Sequence, residues 1–316
     1  MSTWRHRGDP PKPRGPRRPS HYDYSRVSLS FESEGTTCAG WLYRPDDVDS
    51  PSVVVMAGEL AAERRFGLRR YAERLAEAGY AAFLFDYRNT GDSDGEPRNL
   101  VDPERQVADW HAAIAGLRER PEVDTGGIVL WGTGLSGGYA LRAAAEDGRV
   151  AAVVAQNPML DGSAVTGGRG VTGTFSALAA GVRDKLQSRL LGPYRVPVLG
   201  DGSTRSVFDD PAVRTAYRDL LPPGSAWRDE TPARLFLSLF RYTALSDPES
   251  LRCPALLVSG TRDDVAPAES VAALADEIPN ATLVELPADH FDHYDRTFEQ
   301  TFGHLRSFLQ AVRPVE

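Results

Sequence analysis

Gly134-Leu135-Ser136-Gly137-Gly138 constrains this chain more than any other stretch. It follows an apolar run, Gly127-Ile128-Val129-Leu130-Trp131, that reads as a buried strand. It precedes Tyr139 to Ala145, a run that reads as a helix. A strand that turns at once into a helix through G-x-S-x-G is a nucleophile elbow. In so tight a turn the neighbouring chain leaves no room for side chains two residues either side of the serine, so Gly134 and Gly138 are steric requirements. The turn pushes the Ser136 hydroxyl out of the sheet, and the first N–H groups of the helix face any negative charge that develops there.

A serine is a poor nucleophile unless a base takes its proton, and the base needs a carboxylate to orient it. On such a scaffold the order is serine, acid, histidine, each on a loop that follows a sheet strand. Pro254 to Gly260 reads as a buried parallel strand and ends in Thr261-Arg262-Asp263-Asp264. A helix from Ala268 to Glu277 and a strand from Ala281 to Leu286 follow, and the next loop carries Asp289-His290-Phe291-Asp292. The 27 residues between Asp263 and His290 are what one helix and one strand require. Asp263 is preferred over Asp264, which would begin the turn into the helix. His290 is preferred over His293, which would lie three residues into the last helix. His6, His21, His111 and His304 are read as ordinary surface or core residues.

The rest of the chain alternates in the same way. Ser25 to Glu32 and Cys38 to Tyr43 form an opening antiparallel pair. Ser52 to Ala57 is a third strand, Leu68 to Ala78 an amphipathic helix stopped by Gly79, and Tyr80 to Phe85 a fourth strand. Asp102 caps a helix from Pro103 to Arg118, and Val150 to Gln156 is the sixth strand. From Met159 to Arg252 the alternation stops: helices are expected over Phe175–Leu191 and Pro232–Tyr242, separated by a Gly/Pro/Asp-rich stretch. Phe175, Leu178, Trp227, Phe236, Leu239 and Phe240 are candidate pocket or core residues.

Phe85-Asp86-Tyr87-Arg88-Asn89-Thr90-Gly91-Asp92-Ser93, together with the elbow, resembles the α/β-hydrolase superfamily over roughly residues 25 to 312. More narrowly the chain is similar to bacterial serine hydrolases near the X-prolyl dipeptidyl-peptidase and dienelactone-hydrolase branches, and to fungal polyketide acyltransferases that share the triad. The resemblance implies an α/β fold with a mostly parallel central sheet, helices on both faces, and a helical cap inserted between the sixth and seventh strands. Its parts would be an arm (1–20), a core (21–158 with 253–316) and the cap (159–252). It also implies an oxyanion hole from the N–H groups of Gly137 and Leu60. One departure stands out: relatives read H-G-x-G after the third strand, and here the loop is Gly58-Glu59-Leu60-Ala61. A carboxylate ~5 Å from a developing oxyanion costs about 3 kcal/mol at an effective dielectric near 20. Gly58 and Glu59 are therefore possible modulators of the site, and the Glu59 side chain is expected at the pocket mouth rather than buried.

Composition bounds the partners. At 316 residues and 41% hydrophobic content, one α/β domain with an insertion suits the length. Residues 1–20 carry six Lys+Arg and one Asp, net +5, which leaves −13 on the rest of a chain whose formal charge is −8. An acidic body argues against nucleic acid. The basic, proline-rich arm lacks the apolar stretch of a signal peptide, and no apolar run reaches membrane-spanning length, so a cytoplasmic protein with no membrane partner is expected. Cys38 and Cys253 make no disulfide framework, and no metal-ligand or dinucleotide spacing appears, so no metal or cofactor is expected. The expected partner is a small-molecule acyl substrate, and a homodimer is left open. Three functions follow: cleavage of a carboxylic ester, lactone or thioester through a Ser136 acyl-enzyme; acyl transfer by the same triad; and a ligand-binding module or non-hydrolytic catalyst on the same scaffold.

Overall fold

The computed structural model describes residues 21–162, 170–201 and 205–315. The expected arm, residues 1–20, lies outside them. Eight strands form the central sheet: β1 (Tyr24–Ser33), β2 (Thr36–Pro45), β3 (Ser52–Ala57), β4 (Ala81–Phe85), β5 (Asp124–Thr133), β6 (Ala152–Gln156), β7 (Ala255–Gly260) and β8 (Ala281–Leu286). Their order is β1-β2-β4-β3-β5-β6-β7-β8. β1 pairs antiparallel with β2, and β2 with β4. Every other neighbour is parallel, with registers such as Val55↔Leu130 and Val154↔Leu256. Parallel strands covered on both faces have to be apolar along their length, and β4, β6 and β7 are buried at every residue.

Helices α1 (Leu68–Glu77), α2 (Pro103–Arg118) and α3 (Leu135–Asp147) follow β3, β4 and β5. Asp102 caps α2 through the Arg105 N–H, with Pro103 in the first turn. Six parallel strands thus end at one edge, each running into a loop that carries polar side chains. A ligand crevice forms at such an edge.

The stretch between β6 and β7 holds α4 (Gly170–Leu191), α5 (Pro211–Asp219) and α6 (Leu235–Leu239), with a two-residue ladder between Arg195–Val196 and Thr231–Pro232. α6 is far shorter than the Pro232–Tyr242 helix expected, and Phe240 is 57% exposed. Phe175 is 76% exposed rather than pocket or core. The reason is that the inward face of α4 is built of small residues, Ala177, Ala180 and Gly181, with buried Asp184 bonded to Arg234 at its end. A Cβ at Gly181 would strike Leu237, so the helices approach closely on that side and Phe175 is left outside. Phe236 and Leu239 are core, and Leu178 and Trp227 are partly buried. Among the described residues no helix is long and apolar enough to cross a membrane.

After β7 come α7 (Ala268–Glu277), β8 and α8 (Phe298–Val312). His293 does not lie in the last helix, as expected, but in a 3-10 turn, Asp292–Tyr294, that precedes it.

The stretch after β4 works as a clamp. Asp86 accepts from the Arg64 guanidinium, from the Arg64 N–H at 2.6 Å and from the Asp92 N–H at 3.0 Å, so it fastens the loop after β3 to the loop after β4. Arg88, 1% exposed, donates to Asp109 of α2 (2.7 Å), Glu34 (2.6 Å) and Ser33 (2.6 Å). Ser93 donates to the Asp86 carbonyl and accepts from the Ala39 N–H. Removing one partner of a buried ion pair leaves the other charge uncompensated, at about 3–5 kcal/mol. Asp109→Ala should therefore lower the unfolding free energy by that amount in urea denaturation, and a loss below ~1 kcal/mol would show that Arg88 is not the clamp.

Candidate active site

The elbow is where the local sequence is most tightly dictated. Gly134 sits at φ 57, ψ −125, a region that L side chains rarely adopt, and a Cβ there would run into the Glu59 carboxylate. A Cβ at Gly138 would strike the Tyr242 hydroxyl and the Met159 carbonyl. Ser136, between them, is 1% exposed.

Its hydroxyl belongs to a chain of hydrogen bonds. Trp110 Nε1–H donates to the Tyr87 hydroxyl at 2.8 Å, Tyr87 and Ser136 Oγ are 2.6 Å apart, and Ser136 donates to the Gly58 carbonyl. With the serine proton on Gly58, Tyr87 is the donor to Oγ. Burial pushes the Tyr87 phenol well above its ordinary range and keeps that proton in place. Tyr87 lies inside the F-D-Y-R stretch, but its contact with a serine 49 positions away is not visible in sequence.

His290 is held by its surroundings on both sides of the ring. Nδ1 lies 2.6 Å from Asp263 Oδ2, and Nε2 lies 3.4 Å from Glu59 Oε2. Asp263 Oδ1 accepts from the Val265 and Ala266 N–H groups, both at 2.8 Å, whereas Asp264 is exposed. Asn157, at the end of β6, donates to the His290 carbonyl at 2.8 Å and accepts from the Gly260 N–H at 2.9 Å. That side chain fastens the two loops to each other, and sequence reasoning did not single it out. His293 is engaged elsewhere, with Nδ1 2.8 Å from Thr301 Oγ1. Burial, helped by the charge on His290, lowers its pKa to about 4, so its ring is neutral.

Glu59 is not at the pocket mouth. It is 4% exposed and lies inside the protein. Thr133 donates to its Oε1 at 2.7 Å and Tyr294 at 3.1 Å. Behind them Gln156 donates to Thr133 Oγ1 at 3.3 Å, and the Tyr71 hydroxyl bonds Gln156 at 3.0 Å. Two carboxylates therefore face one imidazole. Burial of His290 opposes the cation, but the charges and hydrogen bonds of Asp263 and Glu59 outweigh it and raise the pKa to about 10.

The loop after β3 is also held from above. Tyr217 of α5 donates to the Leu60 carbonyl at 2.8 Å, and Trp227 Nε1–H donates to the Ala61 carbonyl at 3.0 Å. Their rings stack 5.6 Å apart and meet Phe66 and Phe291 edge-on. Ala61 is at φ 60. Among the described residues the Leu60 N–H has no hydrogen-bond partner, while the Gly137 N–H bonds the Gly134 carbonyl at 3.0 Å. A groove of about 1490 Å³ runs between α5 and the loops that carry His290, Phe291 and Tyr294, and Ser136 does not line it.

Residues 52–290 match the family described as serine aminopeptidase, S33. The chain belongs to this family of α/β hydrolases. A relative within reach of it is the quorum-quenching protein AidA of Acinetobacter baumannii (strain MDR-ZJ06), 33% identical across 92% of this chain and 96% of its own. Polyketide transferase ATR5 of Stachybotrys chlorohalonatus is 37% identical over 56% of this chain and 58% of its own. The crystal structure of the α/β hydrolase GrgF from Penicillium sp. sh18 superposes with a TM-score of 0.80 at 26% identity, covering 91% of this chain and 99% of that one.

Two outcomes follow for this S33-family site. The folded protein binds the His290 proton more tightly than the unfolded chain does, so the stabilisation is complete below the ordinary imidazole range and is lost as pH rises to about 10. Melting curves should fall over that interval for the wild type and stay flatter for His290→Gln. Tyr217→Phe removes one neutral hydrogen bond, worth about 1 kcal/mol. It should lower the melting temperature slightly and reduce kcat/KM about tenfold, the rate equivalent of ~1.4 kcal/mol. An unchanged kcat/KM would mean that the loop holds its shape without the insertion.

Proposed function

We propose that this protein is a serine hydrolase that cleaves a carboxylic ester, lactone or thioester through a Ser136 acyl-enzyme. Ser136 attacks the carbonyl, His290 takes the hydroxyl proton and returns it to the leaving group, and Asp263 fixes the imidazole tautomer and supports its positive charge. Leu60 N–H, and Gly137 N–H on leaving the Gly134 carbonyl, receive the oxyanion. The observation that carries this reading is the 2.6 Å contact between Asp263 and His290 at the same sheet edge as a serine on a strand–helix elbow.

Acyl transfer is the second reading, and a specific observation favours it: the groove that reaches His290 has room for an acceptor larger than water. The similarity to ATR5, a polyketide transferase, supports the same reading, and the similarity to AidA, a quorum-quenching protein, leaves hydrolysis beside it. Both share the first half of the reaction. A fluorophosphonate probe should label Ser136 in the wild type and not in Ser136→Ala; an unlabelled wild type at every pH removes both readings. Products formed from an activated ester in the presence of alcohol and amine acceptors then separate them, because discharge to water alone removes transfer.

A further inference from the structure

Neither nucleophile nor base is in its working contact. The Ser136 proton points at the Gly58 carbonyl, Oγ sits against Tyr87, and the Nε2 face of His290 is turned to Glu59. We propose that Glu59 is a latch on the base: while its carboxylate holds Nε2, the imidazole faces Glu59 instead of Ser136 Oγ, and turnover requires that contact to be released. The inference rests on the serine-hydrolase reading above and names what regulates that site.

The latch is a built feature. A carboxylate taken out of water is costly unless donors surround it. Glu59 has such donors in Thr133 and Tyr294, and Thr133 is braced in turn by Gln156 and Tyr71. Thr133, Gln156 and Tyr71 are each 0% exposed. A side chain that merely filled space beside a histidine would not need a polar network leading to it through the core. The elbow is fitted to it as well, since the only residue that Gly134 can be, beside Glu59 Oε2, is one without a side chain.

The groups that face His290 come from each element packed on it. Asp263 arrives on the loop after β7, Glu59 on the loop after β3, and His293 and Tyr294 on the 3-10 turn; Tyr217 of α5 lies close enough to feel the Glu59 charge. His293 is neutral and the phenols stay protonated, so the two carboxylates decide the charge on the ring. With both ionised, each ring nitrogen is a donor, and an imidazolium has no lone pair with which to take the Ser136 proton. Loss of the Nε2 proton to solvent leaves a neutral imidazole with a lone pair on Nε2, and the charge attraction that held the ring to Glu59 is gone. Nε2 can then accept from Ser136.

The test compares full-length wild type with Glu59→Gln, using hydrolysis of a p-nitrophenyl ester and the rate of fluorophosphonate labelling across the pH range, with Ser136→Ala as the blank. A base with pKa about 10 is neutral in only about one molecule in a thousand at neutral pH. Wild-type kcat/KM and labelling should climb with pH toward that value. Glu59→Gln should reach its plateau near neutrality and be labelled about 10²-fold faster at pH 7. A wild type already on its plateau at pH 7, or a folded Glu59→Gln that is equal or slower, overturns the latch. Should Glu59→Gln not fold, imidazole ¹⁵N shifts of the wild type decide the matter: His290 must keep its imidazolium signature beyond pH 9, and titration in the ordinary range overturns the proposal. Ser136 unlabelled in both proteins, with the ¹⁵N result intact, would instead fail the serine-hydrolase reading and leave the Glu59 contact standing.

Discussion

Two carboxylates buried against one imidazole set the terms for everything around them. Asp263 and Glu59 bring two negative charges to a ring that carries at most one positive charge, in a region from which water is excluded. The remaining negative charge has to be met by donors. Asp263 takes its donors from the loop it sits on, the Val265 and Ala266 N–H groups. Glu59 takes its donors from elsewhere, Thr133 at the end of β5 and Tyr294 on the turn before α8. The ends of β3, β5, β7 and β8 are therefore not independent. Each contributes either a charge or the donor that makes another element's charge tolerable.

The loop after β3 shows how far this coupling reaches. Its Glu59 faces His290, its Gly58 carbonyl takes the Ser136 proton, and its Arg64 is fastened to Asp86. From the other side the insertion binds its Leu60 and Ala61 carbonyls through Tyr217 and Trp227. Hydrogen bonds to these carbonyls fix the peptide planes that follow Leu60 and Ala61, while the Glu59 carbonyl, which shares its plane with the Leu60 N–H, accepts from the Ala62 N–H at 3.0 Å. The insertion thus braces the turn that carries Glu59 and Leu60 from the side opposite the sheet.

Most of the sheet was legible because parallel strands buried on both faces have no polar positions to interrupt them, as Val53 to Ala57 and Leu256 to Val258 illustrate. α2 was legible from Asp102-Pro103, a cap followed by a proline. Asp210-Pro211 is the same signal for α5 and was passed over because it lies in a stretch dense with glycine and proline. The inward side of α4 was not legible for a different reason: its buried residues are small ones and Asp184, while the large apolar Phe175, Leu186 and Leu190 are exposed. Ser136, Asp263 and His290 could be placed at one sheet edge because each follows a recognisable strand. The direction of Glu59 could not, since it is set by Thr133 and Tyr294, which stand 74 and 235 positions away. Tyr87 and Asn157 were hidden in the same way: their roles are contacts across the sheet edge, and neither residue type announces them.

The position of the groove bears on what the second half of the reaction can be. In the proposed cycle the acyl group is received at Ser136, but the incoming nucleophile must lose its proton at His290. The groove reaches His290, Phe291 and Tyr294 and does not reach Ser136. A nucleophile approaching along it meets the base first, next to the Glu59 contact. Its volume, about 1490 Å³, leaves room for a molecule larger than water. Under the transfer reading, an alcohol or amine that fills the groove displaces water and arrives where its proton can be taken. Hydrolysis and transfer then differ only in what occupies this space while Ser136 carries the acyl group.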